Sequence, residues 1–237
     1  MSIISRTKDL VGGVMGFYAN QRKRMLPMME KLVEDGQRPH ALLITCADSR
    51  VVPSLIMGSE PGDLFVLRNI GNIVPPSYVR SNDKSVGAAI EYALEVLHVP
   101  NIVVLGHSDC GAMKALLTGQ DTGLRHVDEW LRFARASRMR HMEDEDFSRD
   151  MPDHDRLSQI NVLEQLEHLR TYSVVAERIA TMSVTMHAWW FQMNESRVYA
   201  FDVRKACFVP LEELYPVLDP ETQVLVAEIE QNFKAES

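Results

Sequence analysis

The chain has 237 residues and a formal net charge of −8, which argues against nucleic acid as its main partner, because phosphate binding needs concentrated Lys and Arg. Its 46% hydrophobic and 24% charged residues are those of a globular protein, long enough for one large domain or two small ones. No apolar run approaches the roughly 18 residues of a membrane span. The stretch "VGGVMGF" is short and follows Lys8 and Asp9, which makes it a poor signal peptide, so a cytoplasmic location is expected.

Residues 14–35 have a helical pattern, with Pro27 marking a kink or break. After the turn "GQRP", the apolar run 40–46 predicts a buried strand, and "DLFVLRN" (63–69) predicts a second. Residues 85–98 predict a helix with Ser85 as its N-cap, and "NIVVLGH" (101–107) a third strand. "CGAMKALLTG" turns at once into another helix, and helices follow around 126–140, 158–170 and 173–182. Residues 187–202 read as two strands around an Asn-Glu-Ser turn. Strands alternating with helices imply an α/β fold whose central sheet is mainly parallel, with an antiparallel edge strand and flanking helices. The whole chain, 1–237, reads as a single domain, with a helical N-terminal arm (1–36) and a C-terminal extension (211–237). The segment 143–155 carries seven acids against one Arg and reads as a solvated loop. In the extension, Val226, Ile229 and Phe233 stand at helical spacing and predict a packed helix.

Three cysteines do not make a disulfide framework. Cys46 closes one predicted strand, while His107 and Cys110 follow another in "GHSDC". Parallel sheets place ligand sites beyond the carboxyl ends of their strands, so these three residues are expected at one end of the molecule. Thiolate, imidazole and thiolate suit zinc, and three protein ligands leave a fourth position open. Each piece alone has a structural reading, since a lone buried Cys is usually a small hydrophobe. Cys207 has no polar company and is read as structural. Asp48 has two options: it can close the site as a fourth ligand, or it can pair with Arg50 through two parallel hydrogen bonds. In the second case Asp48 orients the attacking oxygen and Arg50 keeps it off the metal.

"CADSR" and "GHSDCGAM", in this order and at this separation, resemble the two signatures of the β-class carbonic anhydrases. The resemblance runs from about residue 14 to 209 and includes "EPGDLFVLRNIGNIVPP", "GAAIEYAL" and "VLEQLEHLRTY". It implies a four-stranded parallel sheet with a fifth edge strand, built into homodimers or multiples of dimers such as tetramers, with the N-terminal arm wrapped around a partner. It implies reversible hydration of CO₂ to bicarbonate and a proton, by attack of zinc-bound hydroxide. By position, Cys46, His107 and Cys110 match the zinc ligands, and Asp48 and Arg50 match the Asp–Arg dyad. Gln37 matches a substrate-contacting Gln, and Phe65, Ile70 and Tyr92 match an apolar pocket wall supplied partly by the partner. Leu43 stands where a second subgroup has a Trp that supports an inhibitory bicarbonate site, which places the chain in the plant-type, open-site subgroup; Arg68 is common to both. Two other readings stay open: action on CS₂ or COS, and a silent scaffold closed by Asp48.

Overall fold

The computed structural model describes residues 3–79, 84–144 and 146–216. The predicted helix carrying Val226, Ile229 and Phe233 lies outside them. Two helices open the chain, α1 (Ile3–Asn20) and α2 (Arg22–Asp35). The break falls at Gln21 and not at Pro27, which lies inside α2. No residue of α2 is buried, so water can take the place of the hydrogen bond that Pro27 cannot donate. Then follow β1 (Ala41–Cys46), the short α3 (Pro53–Ile56), β2 (Leu64–Asn69) and α4 (Ser85–Glu91). A π-type turn, Tyr92–Val96, continues α4. Next are β3 (Asn101–His107), α5 (Gly111–Thr118), α6 (Arg125–Leu131), α7 (Arg135–Glu143), α8 (Asp153–Arg170) and α9 (Ser173–Ala180). The chain then forms β4 (Thr185–Gln192), β5 (Arg197–Asp202), β6 (Cys207–Pro210) and α10 (Leu211–Leu214). No described helix is long and apolar enough to cross a membrane.

One sheet organises the molecule, in the order β2-β1-β3-β4-β5-β6. The first four strands are parallel, and β5 and β6 are antiparallel additions. The sheet therefore has one strand more than the resemblance implies. The extra one, β6, is four residues long and ends at Pro210, a residue that an edge tolerates because it needs no donor there. β1 is buried along its whole length, as a central parallel strand covered on both faces must be. On one face Leu42, Ile44, Ile102 and Val104 pack with Ile90 and Leu94 beneath α4 and with Val162 and Leu169 of α8. On the other, Leu43, Val103 and Leu105 pack with Val51 and with partly buried Ile56 and Trp189. Gly106 on β3 lets α8 approach closely: a Cβ there would sit 2.5 Å from Val162 Cγ2. Register then sets the site. Cys46 pairs with Asn69 at the end of β1, and His107 pairs with Phe191 at the end of β3.

The acidic segment is not solvated throughout. Its last three residues, from Asp153, form the first turn of α8, where negative charge faces the positive end of the helix. Asp155 is only 7% exposed.

Candidate metal centre

Cys46, the last residue of β1, His107, the last of β3, and Cys110, the residue before α5, converge at the carboxyl end of the sheet. One donor atom from each lies within 4.8 Å of the other two, and all three residues are buried. His107 Nδ1 stands 2.8 Å from the carbonyl oxygen of Ser108. A carbonyl can only accept, so Nδ1 carries the proton and Nε2 keeps a free lone pair. That Nε2 is buried and has no hydrogen-bond partner. An orphaned imidazole nitrogen beside two sulfurs is costly unless a cation takes the lone pair, so the donor set fits a metal ion.

The sulfurs make the same case. Cys110 above all, and the backbone N–H groups of Asp48 and Gly71, hold the Cys46 thiol well below its ordinary range, although burial opposes this. The adjoining Cys46 sulfur and burial push the Cys110 thiol up. Only one of these two adjoining buried sulfurs can ionise on its own, and a cation between them would let both be thiolates.

The supports come from distant parts of the chain. Gly71 N–H donates to Cys46 Sγ at 3.4 Å from a left-handed backbone, φ 77°, that favours glycine. Ser158 Oγ donates to the His107 carbonyl at 2.8 Å. The guanidinium of Arg68 donates to the carbonyls of Cys46, Asp48 and Val51 at 2.7–3.1 Å and so ties down the "CADSRV" loop.

Asp48 turns to Arg50. Arg50 Nε meets Oδ1 at 3.0 Å and Nη2 meets Oδ2 at 2.8 Å, while the Arg50 backbone N–H also donates to Oδ1. This pairing holds the Asp48 carboxyl far below the usual carboxylate range. The other side of Arg50 meets Asp109, with Nη1 2.7 Å from Oδ2 and Nη2 3.1 Å from the backbone oxygen. Asp109 lies between His107 and Cys110, and nothing in the sequence around it marks it for this contact. Its left-handed φ of 57° is the local mark of a special role, since Asp and Asn are among the few residues that adopt it readily.

The four expected pocket residues do not meet in one chain. Ile70 directly follows β2, next to the Cys46 end, and its carbonyl accepts from Trp130 Nε1 at 2.8 Å. Phe65 pairs with Leu42, four residues before Cys46 and Asn69, which places it roughly 13 Å away along the strand. It stacks on Tyr92, with centroids 5.8 Å apart. Gln37 is exposed in the segment that leads into β1, also at the far end. Cys207 lies on β6, away from the centre.

A family model described as carbonic anhydrase matches residues 41–198. A carbonic anhydrase of Synechocystis sp. is 38% identical over 216 residues, covering 88% of this chain and 74% of that protein. One from Pseudomonas aeruginosa is 38% identical over 207 residues, covering 87% and 92%. The solved β-carbonic anhydrase CcaA superposes with a TM-score of 0.79 at 36% identity, over 86% of this chain and 99% of that one. A structure from a study of two tetrameric β-carbonic anhydrases of the filamentous ascomycete Sordaria macrospora gives 0.68 at 30% identity, over 87% and 98%.

Proposed function

This chain belongs to the β-class carbonic anhydrase family, and we propose that it hydrates CO₂ reversibly to bicarbonate and a proton at a zinc ion held by Cys46, His107 and Cys110. The observation that carries this reading is the convergence of two sulfurs and an orphaned His107 Nε2 beside a carboxylate that is held elsewhere. Bound zinc would supply a Lewis acid that makes a water molecule nucleophilic near neutral pH, less strongly than among three imidazoles because two thiolates neutralise its charge. Asp48 accepts a hydrogen bond from the attacking water and directs its lone pair toward the carbon of CO₂. Arg50 holds Asp48 in that role and keeps it from closing the site. His107, through its Nδ1–H on the Ser108 carbonyl, presents a fixed nitrogen.

Two features support the open-site subgroup. Leu43 is fully buried in an apolar cluster and offers no donor. The guanidinium of Arg68 is committed to three carbonyls, which leaves it poorly placed to hold a second bicarbonate. The pocket is completed across a two-fold interface, where the partner's Gln37, Phe65 and Tyr92 supply the wall that one chain leaves open. The tetrameric relatives from Sordaria macrospora support an oligomer. None of the three cysteines forms a disulfide, which fits a reducing, cytoplasmic compartment.

Stopped-flow CO₂ hydration and metal analysis on the same preparations test this. Cys46→Ala, His107→Ala and Cys110→Ala each lose zinc and turnover together. A variant that keeps stoichiometric zinc and parental turnover shows that the ligand set is wrong.

A further inference from the structure

We propose that Asp109 is a positioning residue that forms, with Asp48, a two-sided carboxylate clamp on Arg50, and that Asp155 anchors it from the core. The proposal rests on the function assigned above, because its purpose is to keep Asp48 off the metal.

The need for such a clamp follows from the exposure of Arg50. Its side chain is 49% exposed, on a loop outside any helix or strand. An exposed ion pair contributes little, because solvent screens it and two long side chains must be held in one geometry. That is a weak hold on a carboxylate two residues from a ligand to a divalent cation. The structure shows where the rest of the hold comes from. Four of the five guanidinium N–H groups are committed: Nε and Nη2 to the Asp48 carboxylate, Nη1 to Asp109 Oδ2, and Nη2 again to the Asp109 carbonyl. The plane of the guanidinium is therefore fixed from both sides.

Asp109 is itself fixed. Its backbone N–H donates to Asp155 Oδ1 at 2.6 Å. Asp155 is buried and lies on the first turn of α8, the helix packed against β3 and β4. The other Asp109 oxygen pairs with Lys114 of α5. Charges thus alternate along Asp48, Arg50, Asp109 and Lys114, so no member is left uncompensated. A plainer role exists for Asp109 as the residue that turns the chain left-handed before Cys110. That role needs only the backbone conformation, which Asn and Gly both supply. Charge is needed only for the clamp, and this difference makes the proposal testable.

Two variants, Asp109→Asn and Asp109→Gly, separate the roles. Both keep the turn, and both are expected to fold and bind zinc. Their kcat falls by roughly tenfold or more, the size expected for losing a hydrogen bond between charged groups, with KM little changed. A readout independent of turnover comes from metal-free protein labelled at arginine nitrogen. In the parent, the Arg50 Nη resonances are separate, because rotation about the guanidinium is hindered from both sides; in both variants exchange between them is faster, because Nη1 loses its carboxylate while the Asp48 pair remains. Cobalt-loaded Asp109→Asn shows added carboxylate coordination. Parental kcat with unchanged Arg50 resonances in both variants reduces Asp109 to a turn residue and overturns the proposal. Should the variants fail to fold, averaged Arg50 Nη resonances in the folded parent overturn it equally. If the parent protein itself does not hydrate CO₂, the assigned function fails while the arginine spectra still decide whether the clamp exists.

Discussion

At the scale of single residues, Asp48 and Arg50 should fail in different ways when removed. In Arg50→Ala, Asp48 keeps its charge and loses the partner that meets both of its oxygens. The nearest favourable partner is then the metal, so Asp48 closes the site. Zinc is retained while turnover falls by about 100-fold or more, the cost of losing a near-attack arrangement. Asp48→Ala leaves the water in place but undirected, so the loss is partial. Cobalt spectra report a carboxylate ligand in the first variant and water in the second; water and near-parental turnover in Arg50→Ala would sink this account. Cys46, Asp48, Arg50, His107 and Cys110 were legible because they stand in two short motifs directly after apolar strands. Asp109 and Asp155 were not, because their roles arise from a contact spanning 46 residues. Nothing in a run of acids marks the one that folds inward.

At the scale of elements, α8 explains more of the site than its hydropathy suggested. Asp155, Ser158, Asn161, Gln165 and His168 form a buried polar stripe at helical spacing. Each holds a backbone group of the segments 71–74 and 107–109, which lead into and out of the candidate metal centre. Ser158 holds the His107 carbonyl, Asn161 Nδ2 the Gly71 carbonyl at 3.0 Å, Gln165 the Val74 N–H at 2.8 Å, and His168 Nδ1 donates to the Val74 carbonyl at 2.7 Å. Apolar periodicity found the helix but not this stripe, because partners at loop backbones leave no pattern in the sequence. β6 was missed for a similar reason: four residues ending in Pro are too few for a periodic signal. Burial holds the His168 pKa below its ordinary value. Below the ordinary histidine pKa of about 6.5, the unfolded chain therefore binds a proton that the native state resists, and stability is lost as pH falls. His141 and His187 act in the same direction, again through burial first. Each contributes a slope of at most about 1.4 kcal/mol per pH unit. Urea unfolding between pH 7.5 and 5.5 should therefore give a shallower loss for His168→Gln than for the parent. Equal slopes would show that His168 is not held neutral.

At the scale of the whole molecule, the described residues leave apolar side chains uncovered on the N-terminal helices, where the proposed oligomer would place a second copy. Leu10 is 74% exposed, and Val14, Met15 and Tyr18 continue the open face of α1. A monomer rarely carries such a contiguous patch, and burying each side chain stabilises by about 1.5–3 kcal/mol. The same logic applies to the pocket: Ile70 lies beside the metal centre, while Phe65 and Tyr92 stack at the other end of the strands. The helical arm was legible as a helical pattern, but position in a motif carries no information about a symmetry axis, so the sequence does not say which pocket residues a partner would supply. Leu10→Glu combined with Val14→Glu places two charges in the proposed interface, at a cost of several kcal/mol if they are buried there. Light scattering should then show a shift toward monomer. Zinc should stay bound, because Cys46, His107 and Cys110 all come from one chain and their supports on α8 and β2 are untouched. Turnover should fall with the loss of dimer and recover at high protein concentration, where association is driven back. A monomer with full turnover at every concentration would mean that one chain completes its own pocket. An unchanged oligomer would place the interface away from the arm.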